Sequence, residues 1–175
     1  MKRSLFLWQL FGATFTAVLG TLLHFLFVWT DWIFLAPFAA VNESTWEHMK
    51  ILFFPLVFFA VLQSRFFRLE YPSFWTVKLI GTIFGVLLIP VLFYTILGSF
   101  GVSPAWVNVT IFFLADFSAY GLEWTLFKNL DFSDKKDGWA VLILLLFAAA
   151  FILFTFYPPH IPLFQDPITG GYSIV

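Results

Sequence analysis

Apolar residues come in five long runs separated by short polar breaks. The runs cover roughly 5–29, 48–67, 75–99, 106–127 and 139–157. Each is close to the ~20 residues that an α-helix needs to cross the hydrocarbon core of a bilayer. Because an open chain in lipid can satisfy its backbone only as helix, the pattern predicts an all-α fold: a polytopic transmembrane helical bundle of five spans. No internal repeat, domain boundary or low-complexity tract divides it, so 1–175 is expected to be one domain. The first run follows Met1-Lys2-Arg3. It exceeds the 7–15 residues of a signal-peptide core and no A-x-A site follows, so it is expected to remain as a span.

The exceptions inside the runs carry more information than the runs. In span 1, Gln9, Ala13, Ala17, Gly20 and His24 recur at helical spacing, a small and polar stripe that lets helices approach closely in lipid. His24 continues that stripe and is expected to face the bundle. Gly81-x-x-x-Gly85 repeats the device in span 3. Pro55 and Pro90 are expected to kink spans 2 and 3. The segment Thr30–Val41 is apolar but too short to cross, which suits an interfacial or re-entrant piece. The external tail 158–175 has four of the nine prolines and several large apolar residues. It is expected to fold back over the bundle as a stiff, turn-rich segment without helix or strand.

Composition agrees with the pattern. Hydrophobic residues make up 61% of the chain and charged residues 11%, with a mean hydropathy of +0.94, far from a soluble domain. A net charge of −1 gives a nucleic-acid role no electrostatic footing. The absence of cysteine excludes disulfides, thiolate metal sites and thiol redox chemistry. Orientation follows from the connections. Lys2 and Arg3 precede span 1; Arg65, Arg68 and Lys78 sit around the 2–3 connection; Lys128, Lys135 and Lys136 lie between spans 4 and 5. Only Lys50 falls on the other side, so a cytoplasmic N-terminus and an external C-terminus are expected. The expected location is the cell membrane, a bacterial plasma membrane, with the lipid bilayer as the first partner.

Against this apolar background stands Asn42-Glu43-Ser44-Thr45-Trp46-Glu47-His48-Met49-Lys50, at the outer mouth of span 2. Ser44-x-x-Glu47 matches a capping box with Val41 as its staple residue, which accounts for two positions without any function. Asn42, Glu43 and His48 are left over. His24 and His160 are expected at the same outer depth. Imidazole and carboxylate ligands suit a divalent transition metal such as zinc, manganese or iron, so His24, His48 and His160 are the candidate metal ligands. Glu43, Glu47 and Asp116 are the candidate catalytic acids or bases. A carboxylate at mid-bilayer costs about 2.5–3.5 kcal/mol on insertion scales, so Asp116 calls for a partner, with His24, Lys50 or Lys78 available. Glu123 lies seven residues further along the same face and is expected to meet Lys128 or the interface. Asn42-Glu43-Ser44 and Asn108-Val109-Thr110 match the glycosylation pattern but would lie against the membrane, and are discounted.

Two motifs, Val-Asn-Glu-Ser-x-Trp-Glu-His-x-Lys at 41–50 and Pro-Pro-x-Ile-Pro-Leu-Phe-x-Asp-Pro-x-x-Gly-x-Tyr at 158–172, resemble those of an uncharacterised family of small bacterial multi-pass membrane proteins. The resemblance implies that the two motifs belong together, with Asp166 and the tail prolines among the motif positions, and implies no activity. Three functions stay open. The first is a metal-dependent or acid/base membrane-embedded hydrolase at the outer face, acting on a lipid or small-molecule ligand. The second is a small proton- or ion-coupled transporter running through Asp116, Glu123 and His24, with a homo-oligomer supplying symmetry. The third is a non-catalytic assembly or docking subunit.

Overall fold

The computed structural model describes residues 4–129, 137–172 and 174. Five helices make up the bundle: α1 Leu5–Thr30, α2 Thr45–Phe67, α3 Phe74–Phe100, α4 Ala105–Asn129 and α5 Gly138–Phe156. All five are long and apolar enough to cross a membrane, as a membrane protein requires, and the described residues contain no β-strand. The bounds fall within a few residues of the apolar runs. The largest difference is at α2, which begins three residues before the run because Ser44 caps it, accepting the Glu47 N–H at 3.4 Å.

The centre of the bundle is α2. It buries most of its length, with α1 and α3 packed along it and α5 and the tail against its N-terminal end. Its central stretch, 51–60, carries no polar residue and is buried except at Val57 and Phe58, as a helix in the middle of a bundle should be. Pro55 lies inside α2 and Pro90 inside α3, and both helices continue past them. On α1, the predicted stripe does face inward: Gln9, Ala13 and Gly20 are buried and Ala17 and His24 half-buried. A Cβ on Gly20 would fall 2.5 Å from the Phe112 ring and 2.9 Å from the Ile51 carbonyl oxygen. Glycine there sets how closely α1 approaches α2 and α4. Gly81 and Gly85 do the same for α3 on α4. A Cβ at Gly81 would meet the Glu123 carboxyl, and one at Gly85 would lie 2.8 Å from the Ala119 Cβ.

That close approach decides how Glu123 is used. It does not reach Lys128 or an interface; it is 1% exposed and forms an ion pair of 2.5 Å with Lys78 of α3, also 1% exposed. Gln9 of α1 donates to the same oxygen at 3.3 Å. The Lys78 ammonium also lies 5.0 Å from the Tyr120 ring centroid. Lys128 sits over Trp124 instead, 3.9 Å from its ring. Lys78 is therefore an internal cation and not a charge of the 2–3 connection. Of the other cations used to orient the chain, Lys2, Arg3, Lys135 and Lys136 lie outside the described residues.

The segment between α1 and α2 lies flat at the helix ends. Asp31 closes α1 in the left-handed region at φ 50°, with its N–H on the Phe27 carbonyl. A single 3-10 turn comes next at Ile33–Leu35, exposing Trp32, Ile33 and Phe34 while Ala36, Ala39 and Ala40 are buried. Exposed aromatics beside buried small residues are what an interfacial segment should show. At the other end of the chain, the tail folds over the start of α2. Trp46 packs between Phe151 and Phe164 at centroid distances of 4.5 and 4.7 Å. The tail is not free of helix, because Pro162–Phe164 forms one 3-10 turn that the fixed φ of proline favours. Asp166 organises the residues beyond that turn. Its carboxylate accepts the Ile168 N–H at 2.8 Å and the Thr169 hydroxyl at 3.0 Å.

The buried pair yields a stability prediction. Removing one partner leaves an uncompensated charge among hydrocarbon, so Lys78→Met or Glu123→Gln should each cost about 3 kcal/mol. The double variant should recover part of that loss. Asp116→Asn removes a carboxylate whose oxygens make no hydrogen bond, and should leave stability unchanged or raised. Thermal unfolding of the detergent-solubilised protein measures all four. Additive losses in the double variant would show that the two residues do not act as a pair.

Candidate functional site

The polar groups at the other end of the bundle are set by one buried lysine. Lys50, fully buried in the second turn of α2, uses all three of its donors. It pairs with Glu47 at 2.5 Å, and donates to the Ala36 carbonyl and the Thr155 hydroxyl at 2.8 Å each. The first contact is within α2, the second reaches the interfacial segment and the third reaches α5. Glu47, 2% exposed, extends the network by accepting the Val41 N–H at 3.0 Å. This is a capping box with its second arm lengthened. The carboxylate reaches past the cap residue, whose own N–H is taken by the Asn42 side chain at 2.9 Å. The Ala40 N–H bonds the Leu23 carbonyl of α1 at 3.1 Å. The chain is thus held at Ala36, Ala40, Val41 and Asn42, immediately before Glu43.

Held this way, Glu43 lies between two histidines. One carboxylate oxygen is 3.6 Å from Nε2 of His24 on α1, and the other is 3.6 Å from Nε2 of His48 on α2. The imidazole centroids are 5.3 Å apart. One ligand atom from each of the three residues falls within 4.8 Å of the others. Ligands of a tetrahedral zinc sit about 2.0–2.2 Å from the metal, which places them about 3.3 Å from one another, so small side-chain adjustments would close all three on one ion. His48 is already oriented for this. Its Nδ1 lies 2.9 Å from the Ser44 carbonyl, and a carbonyl can only accept, so Nδ1 carries a proton and Nε2, which faces Glu43, is the nitrogen available to a metal. A ligating histidine commonly has its remote nitrogen held in this way.

The three groups are half-buried, with side chains 22%, 42% and 19% exposed for His24, Glu43 and His48. They stand at the end of a cavity of about 360 Å³ between α1 and α4, which Asn108 also lines. The Ser103 hydroxyl donates to Asn108 Oδ1 at 2.6 Å, so the oxygen is used and the amide nitrogen keeps its donors. In the sequence Asn108 stands out only as part of a glycosylation pattern. Its signal is a carboxamide near the start of an otherwise apolar span.

The remaining candidates stand elsewhere. Glu47 belongs to the Lys50 network. His160 lies exposed in the tail with its ring against Tyr172, 4.7 Å between centroids. Asp116 is fully buried in α4, and neither of its oxygens has a hydrogen-bond partner. The three partners expected for it are engaged with Glu43, Glu47 and Glu123 respectively. The candidate path from His24 through Asp116 to Glu123 would run along most of the bundle. His24 and Gln9, which touches Glu123, are fifteen residues apart on α1, about 22 Å along the axis.

No curated protein and no solved structure matches the chain. A family model does match, over residues 2–174, and its description is "Family of unknown function (DUF6512)". The chain belongs to that family, an uncharacterised one, across nearly its whole length.

Proposed function

We propose that this protein is a membrane-embedded metallohydrolase with a divalent transition metal such as zinc held by His24, Glu43 and His48. The observation that carries the reading is the convergence of two imidazoles and one carboxylate from three different elements, with the remote nitrogen of His48 fixed by the Ser44 carbonyl. Three protein ligands leave a fourth position for water or substrate, the pattern of catalytic zinc centres as opposed to closed structural ones. A cation in such a centre activates water and polarises the oxygen of a scissile bond. Asn108 donates to an oxygen that becomes negative during the reaction. Glu47 and Lys50 are positioning residues: they hold the backbone from which Glu43 projects.

The centre is assigned to the outer face of the cell membrane. With Lys50 and Lys78 both set aside as buried, paired cations, every other Lys and Arg of the sequence falls on one side of the alternating spans. That supports a cytoplasmic N-terminus and puts Glu43 and the tail outside.

Metal analysis of the detergent-purified full chain after zinc loading and removal of free metal tests the centre. One equivalent is expected in the wild type and in His160→Ala, and almost none in Glu43→Ala or His48→Ala. A wild type without bound transition metal overturns the reading.

The positioning role has its own test. Lys50→Met frees Glu47 and loosens the segment 36–43, so metal affinity should fall roughly 10–100-fold, as it does when supporting shells are removed. All three ligands remain in that variant. Competition with a chromogenic chelator reads the change, and an unaltered affinity would remove Lys50 from the proposal.

A further inference from the structure

We infer that the ligand of this centre is a membrane amphiphile that enters sideways from the lipid, its head on the metal and a single hydrocarbon chain between α1 and α4. The inference rests on the metal-centre reading above and adds the class of molecule that reaches it. The polar groups of the cavity beside the centre come together. His24, Glu43, His48 and Asn108 supply them, the Thr21 hydroxyl is spent on the Ala17 carbonyl, and the remaining walls are apolar. Ile51 and Phe112 are buried at its back, whereas Phe25 of α1 and Val109 of α4 are 42% and 55% exposed at its rim. Both rim residues lie on flanks of helices apolar enough to cross a membrane, Phe25 five residues before the end of α1 and Val109 four residues after the start of α4, so with the bundle in a bilayer the mouth between them would lie at the edge of the hydrocarbon. An amphiphile of the adjacent leaflet has its head at that depth and its chain beside the mouth. The volume, about 360 Å³, is near the lower end of the ~300–1,000 Å³ of small-molecule sites. It suits one chain and not two.

Gly20 sets how closely the walls approach one another at the back of the cavity. It lies one helical turn before His24 on the cavity wall. Any Cβ there would meet the Phe112 ring and the Ile51 carbonyl, and the helices would have to separate.

The test uses the full-length protein in detergent with cobalt(II) in place of zinc, whose visible spectrum reports ligands at the metal. The probes are dodecyl hydroxamate and acetohydroxamate, which share a metal-binding head and differ in the chain. Val109→Trp narrows the mouth from α4, Thr21→Trp narrows it from the α1 wall, and Leu146→Trp places the same bulk on an exposed face of α5. We expect dodecyl hydroxamate to bind each narrowed variant at least tenfold more weakly than the wild type. Acetohydroxamate should bind all of them alike, and Leu146→Trp should match the wild type with both probes. Partition of the long probe into micelles is common to all variants and cancels in that comparison. A variant that no longer folds shows no cobalt spectrum, and the one on the opposite wall then carries the comparison. If the narrowed variants bind the long probe as the wild type does, with cobalt and acetohydroxamate unaffected, the lateral amphiphile is wrong and the metal centre stands. If the wild type gives no cobalt spectrum, the centre itself is wrong.

Discussion

The structure at the site end depends on the Lys50 ammonium having no water. A buried cation with an open donor is among the most costly groups a helix bundle can hold. Lys50 avoids that cost by filling its three donors from three directions: Glu47 within its own helix, the Ala36 carbonyl of the interfacial segment and the Thr155 hydroxyl of α5. The geometric result exceeds the energetic one. Two elements besides α2, the segment before it and α5, are brought to one nitrogen, and a segment too short to cross a membrane is fixed against the bundle. Glu47 carries the constraint on to the Val41 N–H, and two residues later Glu43 projects between His24 and His48.

Lys78 and Glu123 solve the same problem at the opposite end with different means. There the pair joins α3 to α4, Gln9 of α1 supplies a further donor, and aromatic faces surround the ammonium. Single interhelical hydrogen bonds in lipid average only about 0.6 kcal/mol, so neither network holds the bundle together by strength. Packing of small residues does that work, and the charged pairs fix register. A sliding α3 would carry Lys78 away from Glu123, and Gly81, three residues on, would lose its fit against the same carboxyl. Asp116 has no comparable arrangement: it is buried without a hydrogen bond among the described residues.

The bundle was legible in the sequence because a bilayer imposes one period and one length, and all five runs obeyed both. The inward stripe of α1 and the contribution of Gly81 and Gly85 were legible for the same reason, being spacings within one helix. Partners across helices were not. Glu123 finds Lys78 at a separation of 45 residues, and nothing in a linear pattern chooses Lys78 over the nearer Lys128. The cluster at 42–50 announced a polar site, but its two acids looked alike from the sequence. A turn before the helix sends Glu43 outward to the histidines, while the first turn of α2 sends Glu47 inward to Lys50. His160 was expected at the outer depth of the other two histidines, and its ring stands against Tyr172, outside the group that they form with Glu43.

Burial separates the groups that hold the fold from those available for chemistry. Glu47 and Lys50 are almost fully enclosed and satisfied by each other and by Val41, Ala36 and Thr155, so another ligand could enter only by breaking them. Glu43, His24 and His48 are partly open, and the distances of 3.6 Å from Glu43 to each histidine are longer than the 2.7–3.2 Å of a well-made N–H···O bond. His24 also keeps a buried Nδ1 with no partner. Three groups held close to one another but not bonded well to one another are positioned for something placed between them. A closed set of bonds nearby holds the segment that carries Glu43, and under the proposal above the cavity on the other side would give access from the lipid. That rigidity of one wall and openness of the other is what a centre must have if it is to keep its geometry while its ligand exchanges.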